Sequence, residues 1–337
     1  MSTNDCDRLV IFPIRHRTLW RMYEQARESF WLPSEVNLAT DSVEWKTKLT
    51  DAERHSLLVV LAFFATADGV VADNVIQRFS GEVPMMEAKY FYGFQAMMEN
   101  IHAETYDILL ETFLPSNVDK TNFLDHALQL TTVGLKNAWA KRWMDVDGRT
   151  FSERLVAFAC VEGIFFSSSF AIVFWFKSRG LLPGLTFSND LISRDEGLHT
   201  QFACELLRLF DEKPPQWVVH TIVAEAADIE VRFAKESLHE PLPGVSAQDM
   251  LYYVRFVADQ LLQALGYQPL FHVENPFPFM MMISMPSRVN FFERQNSEYR
   301  KARANHGAVA DEELCVAASR SHTFTDGPVI GRAFSPN

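Results

Sequence analysis

Acidic side chains sit inside the most apolar stretches of this chain, and that combination limits what it can fold into. The segment Phe158–Phe176, FACVEGIFFSSSFAIVFWF, carries Glu162, and the segment Leu57–Ile76 is interrupted by Asp68 and Asp73. A helix apolar on every side belongs either in a membrane or at the centre of a large soluble fold. The 19 residues of the first segment approach the ~20 needed to cross a bilayer. Carboxylates are costly in lipid, however, and no flanking charge bias supports insertion, so a soluble core is expected. A dry core is also hostile to an unpaired carboxylate. Each of these acids therefore needs a cation or a hydrogen-bond donor.

The rest of the composition supports long helices in one large fold. The 337 residues include only 14 Gly and 15 Pro, against 28 Phe. Few turns and a large core follow. A net charge of −12 argues against a general nucleic-acid binder. Cys6, Cys160, Cys204 and Cys315 contain no Cys-x-x-Cys pair, so neither a structural zinc site nor a disulfide framework is expected. The opening MSTNDCDRLVIFPIRHR has no secretory pattern. A reducing, cytoplasmic setting is the plain expectation.

Apolar periodicity and capping residues predict the following elements. Thr50 or Asp51 caps a helix running through to Phe79. A second helix spans Met86–Phe113, with Phe91, Phe94, Met98, His102, Tyr106, Leu109 and Phe113 at helical spacing. Shorter helical stretches fall between Phe123 and Met144, and an apolar helix spans Phe151–Ser178. Ser188 is the expected cap of a helix through Ile192, Glu196, His199 and Leu206. Two more helices cover Gln216 to about His239 and Ser246 to Leu265. Asp147-Gly148 marks a turn or short hairpin. From Lys301 the periodicity fails, which predicts a flexible tail over 301–337 behind one domain over 1–300.

The chemistry is carried by Glu99-Asn-Ile-His102 and Glu196-Gly-Leu-His199. Residues three apart on a helix share a face, so each motif offers a carboxylate and an imidazole to one point. With 24 Glu and 10 His, chance predicts fewer than one Glu-x-x-His; three occur. The third, Glu236-Ser-Leu-His239, is followed by Glu240-Pro241 and reads as a solvated helix end. The first two are each preceded by an intrusive acid, Asp68 by 31 residues before Glu99 and Glu162 by 34 before Glu196. One acid from each of two helices, with a Glu-x-x-His from each of two others, is the ligand pattern of all-α, ferritin-like bundles that hold two metal ions. Oxygen ligands with imidazoles suit iron or manganese, and the pattern does not choose between them.

The stretches LAFFATADGVVADN, FYGFQAMMENIHAETY, ERLVAFACVEGIFFSSSFAIVFWFKSRGLLPGLTFSNDLISRDEGLH and ENPFPFM go further. From about Ser29 to Tyr299 the chain resembles the small, radical-generating subunit of class I ribonucleotide reductase. The resemblance implies that Asp68, Glu99 and His102 bind one iron ion and Glu162, Glu196 and His199 the other. It also implies that the dimetal centre activates dioxygen and oxidises Tyr106 to a stable radical. Tyr106 follows His102 by one helical turn. Phe166, Phe170 and Ile192 stand four or eight residues from a ligand, placed to wall the radical off from water. A radical relay through Trp31, Asp195, His102 and Tyr299 is implied as well. Asp195 suits the role of an acid that orients a metal-bound imidazole.

The resemblance further implies a homodimer and a large catalytic subunit that docks through the C-terminal tail and reduces ribonucleotides to deoxyribonucleotides. No phosphate-cradling Gly-rich loop is present, as expected of a subunit that never touches the nucleotide. The tail departs from the family pattern: SHTFTDGPVIGRAFSPN has a single acid, Asp326, with Phe324 and Phe334 as its apolar anchors. Two other readings share these residues. One is a dimetal oxidase or ferroxidase without a retained radical; the other is a metal-free structural paralogue.

Overall fold

The computed structural model describes residues 8–74, 79–116, 130–145, 147–238 and 240–280; the predicted tail over 301–337 lies outside them. Eleven α-helices, a 3-10 turn (Pro33–Glu35) and one wide helical turn are formed by these residues: α1 (Arg17–Glu28), α2 (Ala39–Thr47), α3 (Asp51–Asn74), the single turn α4 (Ser80–Glu82), α5 (Met86–Phe113) and α6 (Thr131–Met144). There follow α7 (Phe151–Cys160), a π-type turn (Val161–Phe165), α8 (Ser167–Ser178), α9 (Pro183–Arg208), α10 (Gln216–Ser237) and α11 (Ala247–Leu265). The arrangement is an all-α, ferritin-like bundle in which α3 lies along α5, α9 along α7 and α8, and α10 along α11 and α6. The stretch from Phe151 to Ser178 is long and apolar enough to cross a membrane, but 94% of its most apolar window is buried inside the bundle. It is the core helix the embedded acid predicted.

Local sequence sets most helix starts. Thr50, Thr150 and Ser246 each accept the amide three residues on, from Glu53, Glu153 and Asp249, whose carboxylates return the bond to the cap amide. These are reciprocal capping boxes. At the other end of α11, Gly266 (φ 89°) lets the Tyr267 amide reach back to the Leu262 carbonyl at 2.8 Å and close the helix. Asp147-Gly148 forms a turn, with Gly148 at φ 80°.

Two expectations need correction. Ser188 caps nothing: its hydroxyl donates to the Leu185 carbonyl within a helix that already began at Pro183. The start of α9 is capped from outside, by buried acids of α2. Asp41 accepts the Gly184 and Leu185 amides at 2.9 and 2.7 Å, and Glu44 accepts the Leu182 amide at 2.7 Å. A Cβ on Gly184 would stand 2.3 Å from the Asn37 carbonyl oxygen, so only glycine allows this approach. The second correction is at Phe151–Ser178, which is not one regular helix. Its ladder widens over Val161–Phe165, around Glu162.

Glu53 also pairs with Arg179 at the end of α8, tying two long helices together. Burial pushes this carboxyl up, but the Thr50 amide and the Arg179 guanidinium outweigh it and hold it below its ordinary value of 4.5. The stability it contributes is therefore present above that value and lost as pH falls through the lower folded one. Glu53→Gln is expected to lower stability at pH 7 and to flatten the acid limb below pH 4.5, read as denaturant midpoints against pH.

Candidate dimetal centre

Three elements bring candidate side chains to one point in the core. On α5, Glu99, His102 and Tyr106 stand at steps of three and four and share a stripe. Asp195, Glu196 and His199 project from α9, and Glu162 comes from the π-type turn. Asp68 lies on α3, but its side chain is outside the described residues.

The two Glu-x-x-His motifs interlock. Glu99 Oε1 is 3.1 Å from His199 Nδ1, and Glu99 Oε2 is 3.4 Å from His102 Nδ1. Glu196 Oε1 is 3.0 Å from His102 Nδ1, and its Oε2 is 3.4 Å from His199 Nδ1. Each glutamate thus stands between both imidazoles rather than beside its own alone. Ligand atoms of Glu99, Glu162, Glu196 and His199 all lie within 4.8 Å of one another, and all four residues are buried.

The donor set fits a pair of cations. Glu99 Oε2 and His102 Nδ1 are buried and close, yet make no hydrogen bond; they converge on shared space. Among the described residues, the positive partners of Glu99 and Glu196 are these two imidazoles. Burial opposes charge on His102, but Asp195, Glu196 and Glu99 raise its pKa well above the ordinary value. His199 is pushed up to about 9 by Glu99 and Glu196 against the same burial. Burial likewise works against the ionised form of Glu196, and its neighbours Glu162, His102 and His199 hold it well below the usual carboxylate range. A site that draws protons onto both imidazoles is one built for positive charge.

Around the centre the aromatic residues divide by task. Tyr106 stacks on Phe64 at 4.6 Å with 9° between the rings. Phe64 in turn meets Phe170 at 5.1 Å and Phe166 at 5.8 Å. Ile192 is buried one turn before Glu196 on α9. On the other side, Trp31 donates from Nε1 to Asp195 Oδ2 at 2.8 Å, and that oxygen is 3.3 Å from His102 Nε2. The Trp31 and His102 rings are stacked 6.0 Å apart. The structure brings Trp31, Asp195 and His102 into one chain of contacts, while Tyr299 lies outside the described residues. The third motif is used otherwise: Glu236 is half-buried, accepts the Thr132 amide at 3.2 Å and caps α6, while His239 lies outside the described residues.

Three residues of this neighbourhood went unnoticed in the sequence. Gln95 Nε2 donates to Glu162 Oε1 at 2.8 Å; it stands four residues before Glu99, on the ligand stripe. Phe64 stands four before Asp68, as Ile192 does before Glu196, and the same spacing rule points to it. Arg194 grips Asp195 Oδ1 at 2.9 Å and the Ser29 carbonyl at 2.7 Å, which anchors the Trp31 segment to α9. Burial raises Asp195, and Arg194 with His102 and Trp31 brings it below its ordinary value.

An all-helical bundle with paired Glu-x-x-His motifs facing each other across a buried acid cluster is a ferritin-like carboxylate architecture of the dimetal class. The family model described as ribonucleotide reductase, small chain, matches residues 8–276. The chain belongs to that family. It is 45% identical over 322 residues to a ribonucleoside-diphosphate reductase small chain of Neurospora crassa, covering 95% of this chain and 78% of that protein. To the small chain of Nicotiana tabacum it is 49% identical, over 88% of this chain and 89% of the relative. Among solved structures, the Rnr4 homodimer of the Saccharomyces cerevisiae ribonucleotide reductase superposes with a TM-score of 0.74 at 33% identity, over 83% and 90% of the two chains. The dimanganese(II)-NrdF of Streptococcus sanguinis shares the fold at 19% identity, with a TM-score of 0.73 over 81% and 98%.

Gln95 donates to Glu162 Oε1, and outer partners that hold a candidate ligand carboxylate typically matter by about 10–100-fold in metal affinity. Gln95→Leu is expected to weaken ferrous-ion binding by that order without loss of helical signal, measured by anaerobic titration and circular dichroism.

Proposed function

We propose that this chain is the radical-generating small subunit of a ribonucleoside-diphosphate reductase, with Tyr106 as the residue oxidised. The observation that carries the reading is the single stripe of α5. It places Glu99 and His102 in the acid–imidazole cluster and Tyr106 one turn further on, in an aromatic pocket. Asp68, Glu99, His102, Glu162, Glu196 and His199 would hold two metal ions. Iron is the leading candidate, and manganese suits the same donors. When bound, the metals supply the oxidising power drawn from dioxygen that removes an electron and a proton from Tyr106.

The protein's own groups do the rest. Phe64, Phe166, Phe170 and Ile192 keep water and reductants from the oxidised phenol. Asp195 accepts from Trp31 and faces His102 Nε2, so it orients the imidazole and links the buried indole to the centre. Trp31, Asp195 and Tyr299 form the relay by which a large subunit borrows the oxidising equivalent. That partner docks through the tail over 301–337. A homodimer is supported by α5, which exposes Tyr90, Met97 and Ile108 along one stripe for a second copy to cover.

Loading the metal-free protein with ferrous iron and then admitting oxygen is expected to give a tyrosyl signal by electron paramagnetic resonance, abolished by Tyr106→Phe. Steady oxygen uptake or iron deposition with no retained signal would mean an oxidase instead. Trp31→Phe removes the Asp195 contact and is expected to leave the tyrosyl signal intact. Turnover with a large subunit should fall by two orders of magnitude or more; unchanged turnover would take Trp31 out of the relay.

A further inference from the structure

The turn that carries Glu162 is met from outside by a buried ion pair. A π-type turn inserts a residue into the helical ladder and leaves backbone groups around it without regular partners. The last carbonyl of this turn, that of Phe165, accepts from Lys136 Nζ of α6 at 2.7 Å. The Ser168 amide, in the first turn of α8 where amides have no partner inside their own helix, donates to Glu230 Oε1 of α10 at 3.0 Å. The Ser168 hydroxyl donates to the same oxygen. Lys136 and Glu230 close the brace, with Nζ and Oε2 2.6 Å apart.

The pair is fully enclosed. Lys136 is 2% exposed and Glu230 0%. The ammonium sits 3.6 Å from the ring centres of both Phe63 and Phe233. Burial lowers the Lys136 pKa to about 8 even with Glu230 beside it, and it raises that of Glu230. Two ions in so dry a place are poor evidence of a stability device, since apolar replacements of buried pairs are often as stable.

Geometry gives the pair a different use. If the wide turn annealed into regular α-helix, every side chain beyond it would rotate by about 100° relative to those before it. Glu162 lies within the turn, while Phe166 and Phe170, which pack on Phe64, follow it. Acid and wall face their separate targets only while the turn stays wide. We infer that Lys136 and Glu230 are a positioning pair that holds the π-type turn open and so aims Glu162 at the dimetal centre and Phe166 and Phe170 at Phe64, the ring that stacks on Tyr106. The aim of Glu162 toward metal rests on the function proposed above; the bracing of the turn does not.

The double variant Lys136→Met/Glu230→Leu removes both charges together, which avoids the stranded ion that either single variant would leave. It is tested as the full-length chain in two measurements. In the metal-free protein, hydrogen exchange of the amides across 161–168 should quicken at least tenfold, while protection elsewhere in the bundle is kept. In anaerobic ferrous titration, the wild type should bind two ions per chain and the variant should bind one of them about 10–100-fold more weakly. Faster exchange at the turn with unchanged ferrous affinity would overturn the aiming of Glu162. Unchanged exchange would overturn the brace itself. A wild type that binds no iron would count against the proposed function, and the exchange result would still decide the brace. Ser168→Ala, which removes only the hydroxyl contact to Glu230, serves if the double variant does not fold. It should quicken exchange at the turn severalfold, and unchanged exchange in it would likewise overturn the brace.

Discussion

Everything else in this bundle answers to the mutual attraction of Glu99, Glu196, His102 and His199 in a site closed to water. Four groups that would each be costly alone in an apolar core become tolerable together. They can meet only if α5, α9 and the turn at Glu162 are held in fixed register. That requirement accounts for Glu99, His102, Glu196 and His199 lying within long helices rather than at their ends, where fraying would loosen them. Glu99 and Glu196 each have one oxygen toward either imidazole. A shift of one helix would therefore disturb both halves of the centre.

Other buried acids in the bundle show by contrast what sets this cluster apart. Asp41 and Asp259 accept backbone amides, Asp259 taking those of Leu270, Phe271 and His272. Glu44 accepts the Leu182 amide and pairs with Lys48. Glu87, Glu230 and Asp195 pair with Arg8, Lys136 and Arg194. Each of these acids has a full cation or backbone amides as a partner. Glu99 and Glu196 meet titratable imidazoles, groups that can exchange a proton for a metal ion. The net charge of −12 is accordingly a poor guide to the surface, because much of the acid is spent inside.

What could be read from the sequence was whatever a single helix determines. The bounds of α5 at Met86 and Phe113 follow from its own periodicity, and the starts of α3 and α11 from Thr50 and Ser246. The Glu-x-x-His pairs are legible for the same reason. Features built between helices were not. The start of α9 depends on Asp41 and Glu44, more than a hundred residues away, so local signals pointed to Ser188 instead of Pro183. The wide turn at Glu162 is hidden because its braces, Lys136 and Glu230, come from two other helices. Phe64 and Gln95 are intermediate cases. Their spacing to Asp68 and Glu99 obeys the rule that selected Ile192, and only the three-dimensional contact separates them from ordinary core residues.

The two sides of α5 show how one helix can serve opposite needs. His102 turns Nδ1 to the acid cluster and Nε2 to Asp195, so a polar connection leaves the centre through Trp31 toward α1. One turn further on, Tyr106 lies in apolar contact with Phe64. A polar exit and a dry pocket can share a helix only if its rotation is fixed, because a slip of one residue would turn each group by about 100°. The helix is secured at both ends of this stripe. At its first turn, buried Glu87 accepts from Arg8 at 2.8 Å and from the Arg15 amide at 2.8 Å. Around His102, the Arg194–Asp195–Trp31 contacts join it to α9 and to the segment after α1. Through Arg8 and Arg15, the segment before α1 is thus part of what fixes the rotation of α5.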